Sequence, residues 1–190
     1  RNRGKVAESL DASRRAVELD STLAQGRLLI AQAELELGLP DSALASMKKA
    51  ASAGEDSTTI AQFALSKGNT LLRAANGTKA LPDFLVAMRY LSFADSLRPT
   101  PQTKFLLGVS AVTVAQMALM EAPNAKVKEE RCTMAQLGAE TLPIARLGLE
   151  GGNEVMPDAA KQYRDYLDVI SPYAEKQITA FCTPKEPGGL

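Results

Sequence analysis

Histidine and tryptophan are absent from the 190 residues, and both absences remove classes of functional site. Histidine is the side chain most used for proton transfer near neutral pH and the commonest zinc ligand. Its absence excludes Ser-His-Asp and Cys-His catalysis, HExxH metalloprotease sites and the two-histidine iron triad. Aromatic residues are only 5% of the chain, which disfavours a small-ligand-binding helical domain. We therefore expect no enzymatic activity, no cofactor and no metal site.

The chain also lacks net charge, with 22 Lys and Arg against 22 Asp and Glu. Because acids and bases alternate along its length, no field is strong enough to hold a phosphate backbone, and we expect no nucleic-acid partner. Apolar stretches run for only a few residues, against about 20 for a membrane-spanning helix, so we expect no direct membrane insertion. The chain begins at Arg1 without Met or a basic-then-apolar leader, which is typical of a processed product or a piece of something longer.

Only two cysteines are present, Cys132 and Cys182, and their spacing fits no CxxC or metal motif. They lie near the start and at the end of two predicted helices, and an antiparallel pair would bring them to the same end. We predict a disulfide, with two buried free thiols as the alternative. A disulfide indicates an oxidising compartment, so we expect a periplasmic or extracellular protein, with the cytoplasm as the alternative.

The sequence is rich in segments that carry apolar residues at three- and four-residue spacing, and Gly and Pro separate these segments. This pattern predicts an all-α chain of about eight helices and no strand. Pro143 should kink or divide the seventh. Gly38 should end the second in a left-handed conformation. The predicted helices are Val6–Leu19, Thr22–Leu37, Pro40–Ala53, Ser57–Ala75, Leu81–Leu97, Thr103–Met120, Ala125–Leu149 and Pro157–Phe181.

An internal period of 34 residues relates the first and third helices. Ser9, Ala16 and Leu19 align with three residues 34 positions later: Ala43, Ala50 and Ala53. Between the two copies come Ile30-Ala31 and then Gly38. Part of the pattern recurs later, as Phe63-Ala64, Ala87, Leu91, Ala94, Pro99 and Leu107-Gly108. Ala50 and Ala94, which occupy equivalent positions in the two copies, are 44 residues apart instead of 34. The later copy therefore has about ten extra residues, which lie near Leu72 to Lys79.

This arrangement resembles the tetratricopeptide repeat (TPR), in which a large-small pair, a turn Gly and small residues recur over two helices. Arg27 stands where the family has Trp. The resemblance implies a right-handed solenoid of helical hairpins, with Ala43, Ala50, Ala87 and Ala94 fully buried at the crossings. We predict a TPR-like array over residues 1–124, a capping helical pair over 125–182, and a frayed tail over 183–190.

In the TPR family, one helix of each hairpin lines a concave groove that binds peptides. The carboxylate clamp of some members is not matched here, which puts a chaperone-tail adaptor in doubt. The alternatives are that the groove is wet surface or is filled by the chain's own terminal helix. The resemblance places on the groove Gln25, Leu28, Gln32, Leu35, Glu36, Ala61, Leu65, Asn69, Phe105, Val109, Val112 and Gln116.

A further cluster of polar and aromatic residues extends from Lys161 to Tyr166, and it is either a recognition patch or half-buried packing. Taken together, the sequence predicts a non-enzymatic protein-protein interaction or assembly module of an exported bacterial protein, whose partner is another protein or a peptide segment. The alternative is a structural subunit permanently packed in a larger envelope or surface assembly. A small-ligand-binding helical domain is the third hypothesis.

Overall fold

The computed structural model describes residues 3–20 and 23–183. Within this part the chain is entirely helical, as predicted, and contains no strand. The predicted helix boundaries agree with the structure to within three residues or so. The eight α-helices are α1 (Arg3–Leu19), α2 (Ala24–Glu36), α3 (Pro40–Ser52), α4 (Ser57–Thr78), α5 (Leu81–Leu97), α6 (Pro101–Glu121), α7 (Lys128–Gly151) and α8 (Pro157–Cys182). Two short 3-10 turns, Ala122–Asn124 and Gly152–Glu154, follow α6 and α7.

Proline residues mark the start of several helices, and a glycine marks the end of α2. Proline occupies the first turn of α3, α5, α6 and α8, where its missing N–H costs nothing. Gly38 has a φ of +80°, which confirms the predicted left-handed end of α2. The N–H of Leu39 then donates to the carbonyl of Glu34, closing the last turn. The chain can therefore reverse at once into α3.

The core forms a series of clusters along the chain, each shared by consecutive helices. One joins α1 to α2, a second α2 to α5, a third α4 to α6, and a fourth α6 to α8. Ala43, Ala50, Ala87 and Ala94 have no exposed surface, which confirms their predicted burial. Side chains this small let neighbouring helix backbones approach closely. The right-handed TPR-like stacking itself stays a prediction.

Helix α4 is longer than its counterpart α2, with 22 residues against 13. The difference agrees with the extra residues predicted between Leu72 and Lys79. Leu72 and Ala75 are buried against α5 and α6, so the extension packs as part of the helix. Lys79, with a φ of 55°, ends it.

Helix α6 is the most enclosed helix, and α7 lies very close to it. A Cβ on Gly148 would lie 2.6 Å from the backbone nitrogen of Gly108. The two glycines therefore permit contact between the backbones of α6 and α7. Because α6 also shares its core with α7 and α8, the predicted boundary at residue 124 crosses a continuous cluster of buried side chains.

One expectation about apolar segments needs correction. The segment Pro101–Asn124 contains an 18-residue window with a mean hydropathy of 1.6, and it is long and apolar enough to cross a membrane. No long uninterrupted apolar run marks this segment in the sequence, because Ser110, Thr113 and Gln116 lie within it. The core helix of a soluble bundle passes the same test, and 61% of the most apolar window is buried inside the structure. The absence of membrane insertion stays a prediction.

Of the two outcomes predicted for Pro143, a division of α7 is wrong, because the helix continues from Lys128 to Gly151, whereas a kink stays a prediction. Pro143 is exposed, while Leu142 and Ala145 beside it are buried in the core with α6 and α8. Packing on the inner side therefore holds the helix together where the ring removes a backbone hydrogen bond. Pro172 lies inside α8 in the same way. The predicted frayed tail, apart from Thr183, lies outside the described residues.

Candidate functional site

The structure places the predicted groove residues in three different environments. On α2, Gln25, Gln32 and Glu36 are exposed, and the Gln32 amide donates to Glu36 at 3.2 Å. Both of these side chains also border a small cavity against α1. Leu28 and Leu35 are instead half-buried against the core that α2 shares with α3, α4 and α5. The α2 portion is thus partly covered by neighbouring helices.

On α6, the chain's own C-terminal helices cover the predicted surface. Phe105 and Val112 are buried in the cluster that includes Leu167 and Ile170 of α8, and Val109 packs against it. Gln116 is half-buried. Phe105 and Val112 therefore do not reach an open surface in this structure. This is the self-filled arrangement that the sequence left as an alternative.

On α4, two of the predicted residues line an open groove. We define the α4–α6 groove by its lining residues, Ala61, Gln62, Leu65, Arg98, Thr100, Pro101, Gln102, Thr103 and Val155, which enclose about 650 Å³. Asn69, the third predicted residue of α4, is half-buried and does not line this groove. Of the twelve residues predicted, the structure brings Ala61 and Leu65 together here.

The wall formed by the start of α6 is fixed by local hydrogen bonds. Thr100 caps the helix: its hydroxyl accepts from the N–H of Thr103, and the hydroxyl of Thr103 accepts from the N–H of Thr100. The Thr103 hydroxyl also lies 3.1 Å from a carboxylate oxygen of Asp95 on α5. These bonds hold the α5–α6 turn, and with it Arg98 and Gln102, beside α4.

The groove combines an apolar floor with a polar rim. Ala61 and Leu65 form the floor, and Leu65 packs against two of the core clusters. Gln62 and Gln102 are exposed and have no side-chain hydrogen bond within the described part of the chain. Arg98 is exposed as well, and the lining residues include no carboxylate. The groove can therefore exchange amide hydrogen bonds with a peptide backbone and attract a negative group.

Sequence reasoning missed Gln62, Arg98, Gln102 and Val155. The sequence marks the turn Arg98-Pro99-Thr100-Pro101 only as a helix end, whereas the structure places three of its residues in the groove lining. Val155 comes from the connection between α7 and α8. Because that contact depends on how α8 returns across α6, local sequence carries no signal for it.

The two cysteines lie together at one end of the α7–α8 pair. Their sulfurs lie at bonding distance, and their Cα atoms are 4.9 Å apart, within the usual Cα range for a disulfide. This confirms the prediction that the antiparallel pair brings Cys132 and Cys182 to disulfide distance. The pair is weakly consistent with an oxidising compartment.

The structure also shows how the aromatic side chains of the Lys161–Tyr166 cluster pack on α8. Tyr163 and Tyr166 are half-buried against the core of α6, α7 and α8, as the packing alternative predicted, and burial raises the pKa of Tyr166.

Among residues 3–20 and 23–183, no group of three Cys, Asp or Glu residues is placed to hold a metal ion.

Comparison with protein-family models, curated proteins and solved structures gives no significant match to this chain. The TPR resemblance therefore stays a prediction from the residues, and the function has to be argued from the groove itself.

Proposed function

We propose that this chain is a non-enzymatic interaction module that binds an extended peptide segment of another protein in the α4–α6 groove. The observation that supports this is the open groove of about 650 Å³, whose apolar floor is bordered by amides that have no hydrogen-bond partner among the described residues. A concave, largely apolar site with a few convergent polar groups is typical of recognition surfaces. Its lining offers no arrangement of nucleophile and base.

The lining indicates the chemistry of the peptide. An apolar side chain fits against Ala61, Leu65 and Val155, and its burial would supply most of the affinity. Gln62 and Gln102 each offer a donor and an acceptor to the peptide backbone. Arg98 suits an acidic side chain or a terminal carboxylate. We therefore expect a segment that combines one apolar residue with one acidic group.

A display library of random heptapeptides, selected on the full chain, tests this directly. Enriched peptides should share an acidic position next to an apolar one. Arg98→Gln should weaken their binding about tenfold, because it removes a charge-assisted hydrogen bond. Arg73→Gln is the matched control: Arg73 is exposed on α4 and does not line the groove.

Two results would contradict the peptide-binding proposal. One is the absence of any enriched sequence. The other is equal weakening by Arg98→Gln and Arg73→Gln, which would mean that general charge attraction, and not this groove, accounts for the binding.

The second candidate function, a structural subunit of a larger envelope or surface assembly, is favoured by apolar side chains on the outside of α7 and α8. Val169 is 71% exposed and Tyr173 46%, one turn apart on α8, and Leu147 on α7 is 69% exposed. Sedimentation velocity distinguishes the two. A subunit should self-associate and become monomeric in Val169→Glu, whereas an interaction module should be monomeric from the start.

We also infer that the helices stack as a right-handed TPR-like array in a periplasmic or extracellular protein. The consecutive clusters of buried side chains and the four buried alanines support the stacking. The disulfide distance between Cys132 and Cys182 supports the location.

A further inference from the structure

A second open groove, the α7–α8 groove, lies between residues 139–146 of α7 and residues 171–179 of α8, and it encloses about 660 Å³. It shares no lining residue with the α4–α6 groove. Leu142 and Ala174 form its floor, and both belong to the core that α6, α7 and α8 share. Ile178 is half-buried beside them. The floor of this groove is therefore the apolar outer edge of that core.

The shape of the α7–α8 groove suits a third helix. Its α8 side is about 12 Å long, or about two turns at a rise of 1.5 Å per residue. One turn after Pro143, on the same side of α7, Leu147 is 69% exposed, which extends the apolar surface. An amphipathic helix that docks in such a groove presents its anchoring side chains at positions i, i+4 and i+7. Two turns of groove match this spacing.

The charged side chains of the groove leave one carboxylate without a counter-ion. Nη1 of Arg146 lies 2.9 Å from a carboxylate oxygen of Asp168, and its Nη2 donates to the hydroxyl of Ser171 at 3.0 Å. Neither a lysine nor another arginine lines the groove. Glu175 lines it from α8, is exposed, and forms no ion pair within residues 3–20 and 23–183. Because Asp168 balances Arg146, Glu175 gives the groove one net negative charge.

The uncharged polar groups of the groove can only accept hydrogen bonds. The hydroxyls of Ser171 and Thr179 already donate to backbone carbonyls one turn earlier in α8, at 2.7 Å and 3.0 Å. Each hydroxyl has a single hydrogen, so neither has one left for a ligand. Pro143 has no N–H, so the carbonyl of Ala139, four residues earlier, lacks its usual helical donor. Both of these α7 residues line the groove.

An apolar groove that offers acceptors and one negative charge selects a partner with N–H donors and a positive charge. We propose that the α7–α8 groove binds an amphipathic helix of another protein, with apolar residues at i, i+4 and i+7 and a lysine or arginine beside them. The cation pairs with Glu175 and donates to the carbonyl of Ala139, while the apolar side chains cover Leu142 and Ile178. This preference is opposite to that of the α4–α6 groove, where Arg98 faces no carboxylate in the lining. The site is independent of the proposed peptide-binding function.

A display library of helical peptides, randomised on one face and selected on the full chain, tests this proposal. Enriched helices should carry lysine or arginine beside the three spaced apolar residues. In nuclear magnetic resonance spectra, an enriched helix should shift the amide signals of Ala139 and Thr179 and leave that of Gln62 unchanged. Glu175→Gln should weaken its binding about tenfold, because it removes a charge-assisted hydrogen bond. Asp165→Asn is the matched control, since Asp165 is exposed on α8 and does not line the groove.

Pro143→Ala tests the role of the freed carbonyl. Alanine supplies the missing N–H, so the carbonyl of Ala139 would bond within α7 and binding of the helix should weaken, whereas α7 is not destabilised. Pro172→Ala is the control, because Pro172 also lies inside a helix but does not line the groove. Equal binding by these two variants would overturn the role given to Ala139.

Four results would overturn the proposed helix-binding site: no enriched sequence, enriched helices without a cation, shifts confined to the α4–α6 groove, or equal weakening by Glu175→Gln and Asp165→Asn. Hexylamine is the small-cation probe, and binding as tight as that of the selected helix would assign the groove to a small amine instead. Dimerisation of the free chain that Glu175→Lys abolishes would assign it to a second copy.

Discussion

Ala50 lies in the core shared by α2, α3, α4 and α5 and has no exposed surface. Its methyl group fills the space at this helix crossing, so a larger side chain must displace a neighbour. Ala50→Leu should therefore lower the free energy of unfolding by about 1–3 kcal/mol through overpacking, as measured by urea denaturation. Ala45→Leu, at an exposed position of the same helix, is the control and should change little. An unchanged stability in Ala50→Leu would remove the basis of the 34-residue alignment.

Tyr90 connects two hairpins through one buried hydroxyl. Its ring is fully buried, and its hydroxyl donates to the carbonyl of Pro40 at 2.6 Å. Tyr90→Phe should cost about 1 kcal/mol of stability, the usual net value of such a bond. Tyr173→Phe is the control, since that ring is 46% exposed.

The same tyrosine predicts a dependence on alkaline pH. Burial first, and then the charges of Asp41 and Glu34, raise the pKa of Tyr90 above its ordinary value of 10.0. Because the folded state holds this proton more tightly, the stabilisation is complete below pH 10 and is lost as the pH rises above it. Urea denaturation from pH 8 to 11 should show a steeper loss in the wild type than in Tyr90→Phe. Parallel curves would contradict this.

At the scale of elements, the start of α4 depends on one capping residue. Asp56 accepts from the N–H groups of Thr58 and Thr59 and from the Thr59 hydroxyl, and these bonds lower its pKa. A lowered pKa in the folded state means that the stabilisation is present above the ordinary pKa of 3.8 and is lost as the pH falls through the folded value. Asp56→Ala should therefore lower the melting temperature by a few degrees at pH 7.

Asp56→Asn separates capping from charge. Asparagine caps helices about as well as aspartate, so this variant should melt near the wild-type temperature at pH 7. It should also lose the part of the acid sensitivity that comes from Asp56. Equal melting of the alanine and asparagine variants would mean that the side chain does not cap α4.

Helix boundaries could be predicted because local residues determine them. Pro40 and Gly38 act on their own turn, whatever the rest of the chain does. The division at Pro143 could not be judged in this way, because the packing of Leu142 and Ala145 against other helices decides it. The same holds for Phe105 and Val112: their spacing is typical of a helix face, but only the position of α8 determines whether that face is open.

At the scale of the whole molecule, α8 closes the fold over α6. Gln177 of α8 is buried, and its amide donates to the carbonyl of Leu119 on α6 at 2.8 Å. Leu167, Ile170 and Ala174 of α8 complete the same core. The candidate groove follows from this arrangement, because the connection that brings α8 back also delivers Val155 to its rim. The sequence predicted a capping pair but carried no information about its position.

The cysteine pair lies at the end of the α7–α8 pair that is opposite the connection between these two helices. Cys132 follows the start of α7 and Cys182 ends α8, 50 positions later in the sequence. A disulfide here would link the last helix to the helix before it and restrict the unfolded chain. In the chain-entropy account, closing a loop of this length stabilises the folded state by about 4 kcal/mol.

Removing the bridge should therefore cost a large share of the total stability, which is about 5–15 kcal/mol for typical domains. The double variant Cys132→Ser/Cys182→Ser should unfold at lower urea concentration than the oxidised wild type, and the reduced wild type should behave like the variant. Ser110→Ala is a matched control at a buried polar position outside the bridge. Mass spectrometry of alkylated, non-reduced protein should find neither thiol modified. If both thiols are alkylated in protein from its native compartment, neither the bridge nor the exported location stands.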